Sequence, residues 1–381
     1  MRRIGSFLLV VAIVLCLPVQ ARATPGEVDA KSACLMDIET GTVLFEQNGD
    51  TPLAPASVTK VMTMLLVMEA LSQGRIKLTD MVTASEAAAA KGGSQIYLKV
   101  GEQLSVEEML KSVAVSSAND CACALAEHLY GSEAAFVEKM NARAGELGMK
   151  NTNFVNCTGL DDSEEAKNHR TTARDIAIMS RELMKYHPQI QKYTTIWMDT
   201  VRGGAFGLSN TNKLVRFYPG ATGLKTGFTS GAGYCLSATA EKEGLGLVAV
   251  VMGAETSQDR FNACKTLLDY GFANYALLNS APDGELSVPV KLGTASAVTA
   301  VPAEDTKLLV DKGQLSMVNV QTRLETEITA PVSKGQRLGT MTITSGQQIL
   351  REIPLVAADA VPRLTFWQIF GRVLRQFLGA K

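Results

Sequence analysis

The sequence is poor in the residues on which metal and nucleotide chemistry depends. Its 381 residues include three histidines, His128, His169 and His187, and none stands at H-E-x-x-H or a comparable ligand spacing. No C-x-x-C occurs, so a zinc knuckle or a dithiol redox motif has no support. A glycine-rich loop leading into a helix, the usual phosphate cradle, is also missing. No metal and no cofactor are expected. An excess of one charge is lacking too: 37 Lys plus Arg stand against 38 Asp plus Glu, a net charge of −1. A dedicated nucleic-acid binder would show a clear basic surplus, so nucleic acid is not an expected partner. No internal repeat is visible. With 46% hydrophobic and 20% charged residues, the chain is too apolar and too evenly charged to be disordered, and it is long enough for two or three packed units.

The balanced total hides two unlike ends. Met1-Arg2-Arg3, the apolar run Phe7 to Leu17 and Ala21-Arg22-Ala23 form a positive n-region, an h-region and an A-x-A site. The run falls short of the roughly 20 residues that cross a bilayer, so an export signal over 1–23 is expected. Val14 and Leu15 before Cys16 are too bulky for a lipoprotein signal. Without Arg2, Arg3 and Arg22 the remainder carries 34 basic residues against 38 acidic ones. At the other end, 363–381 holds Arg363, Arg372, Arg375 and Lys381 and no acid. Read as a helix, it places Phe366, Phe370, Val373 and Phe377 on one face, widened by Trp367, Ile369, Leu374 and Leu378. Such a basic amphipathic helix over 359–381 suits the interfacial plane of an anionic membrane. The alternative is a terminal helix docked on its own domain. Export and anchor together place the protein on the outer face of the cytoplasmic membrane.

Between the ends, 24–279 alternates strand and helix patterns. A hairpin is expected from Ser32 to Asp37 and Thr42 to Gln47. Helices are expected over 57–71, 105–115, 118–130, 132–147 and 172–185, sheet-core strands over 232–240 and 245–253, and a closing helix from Arg260 to Tyr275. This is an α+β pattern, an antiparallel sheet flanked by helices. Over 280–358 short strand candidates, Leu286 to Val290, Lys307 to Val310, Glu325 to Ile328 and Gly339 to Thr344, predict a small all-β domain. Of the seven cysteines, the six beyond Cys16 sit mostly in apolar patterns and read as buried thiols. Cys34 with Cys264 is a candidate pair in an exported chain, while Cys121 and Cys123 face different sides of one helix.

Three short motifs carry the chemistry. In Ala54-Pro55-Ala56-Ser57-Val58-Thr59-Lys60, followed by the apolar Val61 to Met68, Ser57 and Lys60 lie one helical turn apart on one face. Helix N-terminal amides beside Ser57 would stabilise an oxyanion, and a desolvated Lys60 would accept the Ser57 proton without a histidine. Alone, the pattern is more often an N-cap with a solvated lysine. Here it is followed in order by Ser117-Ala118-Asn119, opening a helix, and Lys225-Thr226-Gly227, before Phe228-Thr229. Each motif occurs once.

With these three motifs behind a leader, the chain resembles the D-alanyl-D-alanine carboxypeptidases of the low-molecular-mass penicillin-binding proteins. Gly159-Leu160-Asp161, His169-Arg170-Thr171-Thr172-Ala173-Arg174-Asp175, Ser209 to Lys213 and Tyr218-Pro219-Gly220 fit as well. The resemblance implies a transpeptidase fold like that of β-lactamases, with the active site between a helical lobe and the sheet edge. It implies Ser57 as nucleophile on the penultimate D-Ala carbonyl of a peptidoglycan stem pentapeptide, Lys60 as base, and the Ser57 and Phe228 amides as oxyanion hole. Ser117 would relay the proton to the leaving amine and Asn119 would hold Lys60 and the substrate amide. Lys225, Thr226, Gly227, Phe228 and Thr229 would line the substrate, with Arg260 helping at its carboxylate, and β-lactams would acylate the same serine. Phe228 stands where relatives vary. Arg170 stands where an aromatic residue is expected, and His169 and Arg170 are read as structural. Alternatives are a DD-endopeptidase or transpeptidase on crosslinked peptides, and a sensor that acylates and stops. A β-lactamase is disfavoured because no E-x-x-L-N-type segment supplies a second base.

Overall fold

The computed structural model describes residues 25–282 and 284–377. The expected leader, Leu378 and Lys381 lie outside them. Strands β1 (Ser32–Asp37), β2 (Val43–Gln47), β3 (Ala221–Thr229), β4 (Gly233–Lys242) and β5 (Leu245–Ala254) form one sheet in the order β2-β1-β5-β4-β3. Every neighbouring pair is antiparallel. Both faces are buried, and strand alternation divides them cleanly. Cys34, Met36, Val248, Val250 and Met252 join a core on one side; Ala33, Leu35, Leu247, Ala249 and Val251 join a second on the other.

The first core belongs to helices α1 (Lys60–Ser72), α2 (Val106–Ser116), α3 (Asn119–Tyr130), α4 (Glu133–Glu146) and α5 (Ala173–Tyr186). The apolar residues of α1 surround its whole circumference, which only a central helix can satisfy; Lys60 to Met68 are all buried. The second core is closed by α6 (Ser257–Asn274), through Phe261, Cys264, Leu267 and Leu268. A capping box between Thr256 and Asp259 starts this helix three residues before the expected Arg260. Tyr275 opens a strand instead of ending the helix. The proposed Cys34–Cys264 pair is corrected by the same alternation: the two side chains lie on opposite faces of the sheet. All six described cysteines are free and buried.

The expected all-β domain is present as a six-stranded sheet. Its order is Val318–Leu324, Arg337–Ser345, Gln348–Ala357, Ala297–Pro302, Leu286–Lys291 and Ile328–Thr329. Leu338, Met341, Ile343, Ile353 and Leu355 form its core. Two expected strands differ. Lys307–Asp311 pairs with Tyr275–Asn279 in a separate two-stranded link. Of Glu325 to Ile328, only Ile328 is in a strand. The terminal helix α7 (Phe366–Phe377) forms as expected, and its aromatic face is not docked: Phe366 is 71% and Trp367 77% exposed.

Candidate active site

Ser57 sits in a 3₁₀ turn, Ala56–Thr59, that runs straight into α1. Its side chain caps neither helix, which removes the N-cap reading. Lys60, the first residue of α1, is fully buried, with Nζ 2.9 Å from Ser57 Oγ. Nζ also donates to the Thr158 carbonyl at 2.8 Å. Burial pushes the Lys60 amine down to about 7, against weaker pulls from Cys157 and Asp120 that favour the charged form. An amine so placed holds a large free-base fraction at neutral pH, the state that takes a proton from a serine hydroxyl.

Ser117 does not N-cap a helix either. It ends α2 in the left-handed region at φ 64, and its buried Oγ has no partner. A strained residue with an unpaired buried hydroxyl marks a site built for something other than stability. Asn119, first residue of α3, corrects one expectation. It does not bond Lys60: its Nδ2 donates to the Gly92 carbonyl at 2.8 Å, its backbone N–H to Ser94, and its Oδ1 is buried without a partner. Lys60 is held by the Thr158 carbonyl instead, and Asn119 holds the loop around Gly92. Asp120 pins the same loop through the N–H groups of Ile96 and Leu98. Gly93 lies between Asn119 and Leu160, where a Cβ would stand 2.8 and 3.3 Å from their side chains.

The third motif lies on β3, one of the two edge strands of the sheet. Gly227 meets the nucleophile turn: a Cβ there would fall 2.7 Å from the Pro55 carbonyl and 3.0 Å from the Ser57 nitrogen. Lys225 is 1% exposed, and its Nζ donates to the Thr226 carbonyl. Burial drives its pKa well down, and the charges of Lys60 and Arg260 act in the same direction. Thr226 Oγ1 donates at 2.6 Å to Thr211 Oγ1, and the Thr211 N–H reaches the Val115 carbonyl near the end of α2. Phe228 is 53% exposed and packs on Tyr234, with centroids 4.3 Å apart.

Two residues expected at the substrate also carry bonds within the protein. Thr229 Oγ1 accepts from the Ala232 N–H within the β3–β4 turn. Arg260 braces the strand. Its Nη1 donates to the carbonyls of Gly227 and Cys235 at 3.0 and 3.4 Å, and its Nη2 to Ser257 Oγ. The guanidinium also lies 5.2 Å from the centre of the Tyr234 ring. Of its three nitrogens, Nε is buried and has no partner. Thr158 and Thr211 are residues that the motifs do not name. Each lies in or beside a stretch noted for its resemblance, but a backbone carbonyl and a bridging hydroxyl have no signature of their own.

Ser57 thus touches β3 through Gly227, Lys60 reaches the loop of Thr158, that loop meets Asn119 across Gly93, and Thr211 links Thr226 to α2. The described residues contain no cluster of His, Cys, Asp or Glu suited to a metal ion.

Residues 19–256 match the family model described as D-alanyl-D-alanine carboxypeptidase, and 280–363 match that of the penicillin-binding protein 5 C-terminal domain. The D-alanyl-D-alanine carboxypeptidase DacF of Bacillus subtilis is 42% identical over 352 residues, covering 91% of this chain and 89% of that one. Penicillin-binding protein 5 of Haemophilus influenzae superposes with a TM-score of 0.75 at 34% identity, covering 89% and 99%. Penicillin-binding protein D2 of Listeria monocytogenes, solved with ampicillin bound, is 33% identical with a TM-score of 0.56, covering 64% and 98%. The fold, the order of the motifs and these matches agree, and the chain belongs to the D-alanyl-D-alanine carboxypeptidase family of serine peptidases.

Proposed function

We propose that Ser57 carries the carboxypeptidase reaction of this family on peptidoglycan stem pentapeptides. Ser57 Oγ attacks the penultimate D-Ala carbonyl while Lys60 takes its proton. The Ser57 and Phe228 amides receive the oxyanion, and Ser117 passes a proton to the departing D-alanine. Water then hydrolyses the acyl-enzyme, freeing the shortened peptide and the Ser57 hydroxyl, and β-lactams acylate the same serine. The contact of a buried, pKa-lowered Lys60 with Ser57 Oγ carries this reading. Because the free base is the active form, kcat/KM for D-alanine release is expected to rise with pH through about 7, by roughly tenfold per pH unit well below it. A profile flat between about pH 5 and 8 removes Lys60 as the base. Product analysis on pentapeptide and crosslinked muropeptides separates this reading from the endopeptidase one.

We further propose that residues 1–23 export the chain and that α7 lies on the outer face of the cytoplasmic membrane. The exposed cluster of Phe366, Trp367 and Phe370, flanked by Arg363 and Arg372, supports this. No helix among the described residues is long and apolar enough to cross a membrane. Deleting 363–381 is expected to move the protein from the membrane to the soluble fraction with D-alanine release intact. Unchanged fractionation rules out the anchor.

A further inference from the structure

The peptide unit that carries the Ser57 N–H also carries the Ala56 carbonyl. It is trans, so the two groups point in opposite directions within one plane, and whatever fixes the carbonyl aims the N–H. The Ala56 oxygen accepts from Thr59 Oγ1 at 2.8 Å. Thr59 Oγ1 in turn lies 2.8 Å from His169 Nε2. A threonine hydroxyl has one proton. With that proton given to Ala56, the hydroxyl can only accept from the imidazole. The other ring nitrogen, Nδ1, accepts from the Val155 N–H at 3.1 Å, which places the ring proton on Nε2. The chain therefore runs one way: Val155 N–H to Nδ1, Nε2–H to Thr59 Oγ1, Thr59 O–H to the Ala56 oxygen.

The surroundings hold this arrangement in place. Ala56, Thr59 and His169 are all buried, and the imidazole packs edge-on to Phe154 with centroids 5.6 Å apart. Ala56 stands at φ 47, a conformation that residues with a Cβ rarely adopt, directly before the nucleophile. Gly159 lies against the same carbonyl: a Cβ there would fall 1.8 Å from the Ala56 oxygen. Burial, helped by the charges of Arg170 and Lys60, holds the His169 pKa down at about 4. The ring is thus neutral near pH 7, and the direction of the chain is kept.

We infer that His169 and Thr59 are positioning residues for acylation, a hydrogen-bond relay that aims and polarises the Ser57 N–H toward the oxyanion. Neither touches the reacting atoms. Each bond of such a chain strengthens the next, and an oxyanion donor acts only if its direction is fixed before charge develops. The inference rests on Ser57 as nucleophile and on its amide as an oxyanion donor.

The test uses the full chain and a penicillin. Thr59→Val keeps the shape and removes the hydroxyl, Thr59→Ser restores it, and His169→Phe removes the ring partners. Three quantities are measured: the acylation rate constant, the preceding non-covalent binding constant, and the ester carbonyl stretch of the acyl-enzyme by infrared difference spectroscopy. Thr59→Val is expected to slow acylation by about 10- to 100-fold, with binding changed less than about twofold. Its ester stretch moves to higher frequency as polarisation is lost, and Thr59→Ser recovers both rate and stretch. The double variant Thr59→Val with His169→Phe is expected to be no slower than the slower single one, because both break one chain. A folded Thr59→Val enzyme with unchanged rate and stretch overturns the inference, and so do additive losses in the double variant. If His169→Phe does not fold, the two Thr59 variants decide alone. A wild-type chain that is not labelled at Ser57 refutes the nucleophile reading itself, and is told apart because no substitution is involved.

Discussion

Ser57→Ala is expected to abolish D-alanine release and covalent labelling by penicillin together. The Ser57 hydroxyl is the group within reach of the Lys60 amine, and alanine leaves that amine with nothing to activate. Nucleophile deletions in serine hydrolases set the scale, a loss on the order of 10⁶ in kcat. Stability should change little, because the Ser57 side chain caps no helix. Mass spectrometry of the penicillin-treated variant checks the assignment. An adduct that persists would move the nucleophile elsewhere, while wild-type labelling without D-alanine release would favour the sensor reading.

The second large effect is expected from Gly227→Ala, which adds a single carbon. That carbon would stand 2.7 Å from the Pro55 carbonyl, 3.0 Å from the Ser57 nitrogen and 3.1 Å from Ala56 Cβ. Two of the three are backbone atoms and cannot swing aside, so β3 and the nucleophile turn must part by several tenths of an ångström. The displaced atoms include the Ser57 amide itself. Loss of one oxyanion donor costs roughly 10²- to 10³-fold, and acylation should fall on that scale while the circular dichroism spectrum stays that of the wild type. An acylation rate within about threefold of wild type would show that Gly227 is not the wall of the oxyanion site.

Side-chain chemistry at fixed spacing was legible in the sequence. Ser57 and Lys60 are one turn apart because the 3₁₀ turn that holds Ser57 runs straight into α1 at Lys60, and the family resemblance that the motif order carries implies Ser117 and Lys225 in the same neighbourhood. Contacts made by backbone were not legible. Thr158 serves Lys60 through a carbonyl that any residue would offer, and Asn119 gives its amide to Gly92 although the motif suggests Lys60 as its partner. Arg260 was read as helping at the substrate carboxylate, yet its Nη1 braces two strand carbonyls and its Nη2 bonds Ser257 of its own helix. The candidate Cys34–Cys264 pair failed for a different reason. Period-two alternation sends neighbouring residues to opposite faces, and sequence separation carries no sign of which face a distant cysteine will share. In the β-rich domain, strands such as Val318–Leu324 are not legible in the sequence because their side chains are largely exposed.

The edge position of β3 has a further consequence. An open strand edge invites pairing with any other extended chain, including another copy of the same protein, and natural sheets blunt such edges. Here the first half of the edge is already spent: Thr194 Oγ1 donates to the Thr222 carbonyl and Asn212 Nδ2 to the Gly223 carbonyl. Side chains that cannot propagate a ladder thus stand where a sixth strand would begin to zip. The second half, from Lys225 to Thr229, carries the third motif and is where the proposed reaction places the substrate, and in the turn that follows Asp161 Oδ2 stands 3.2 Å from the place of a Gly231 Cβ. If the substrate peptide is held as proposed, β3 therefore meets it with the second half of its edge, while the half on which a foreign ladder could start is closed.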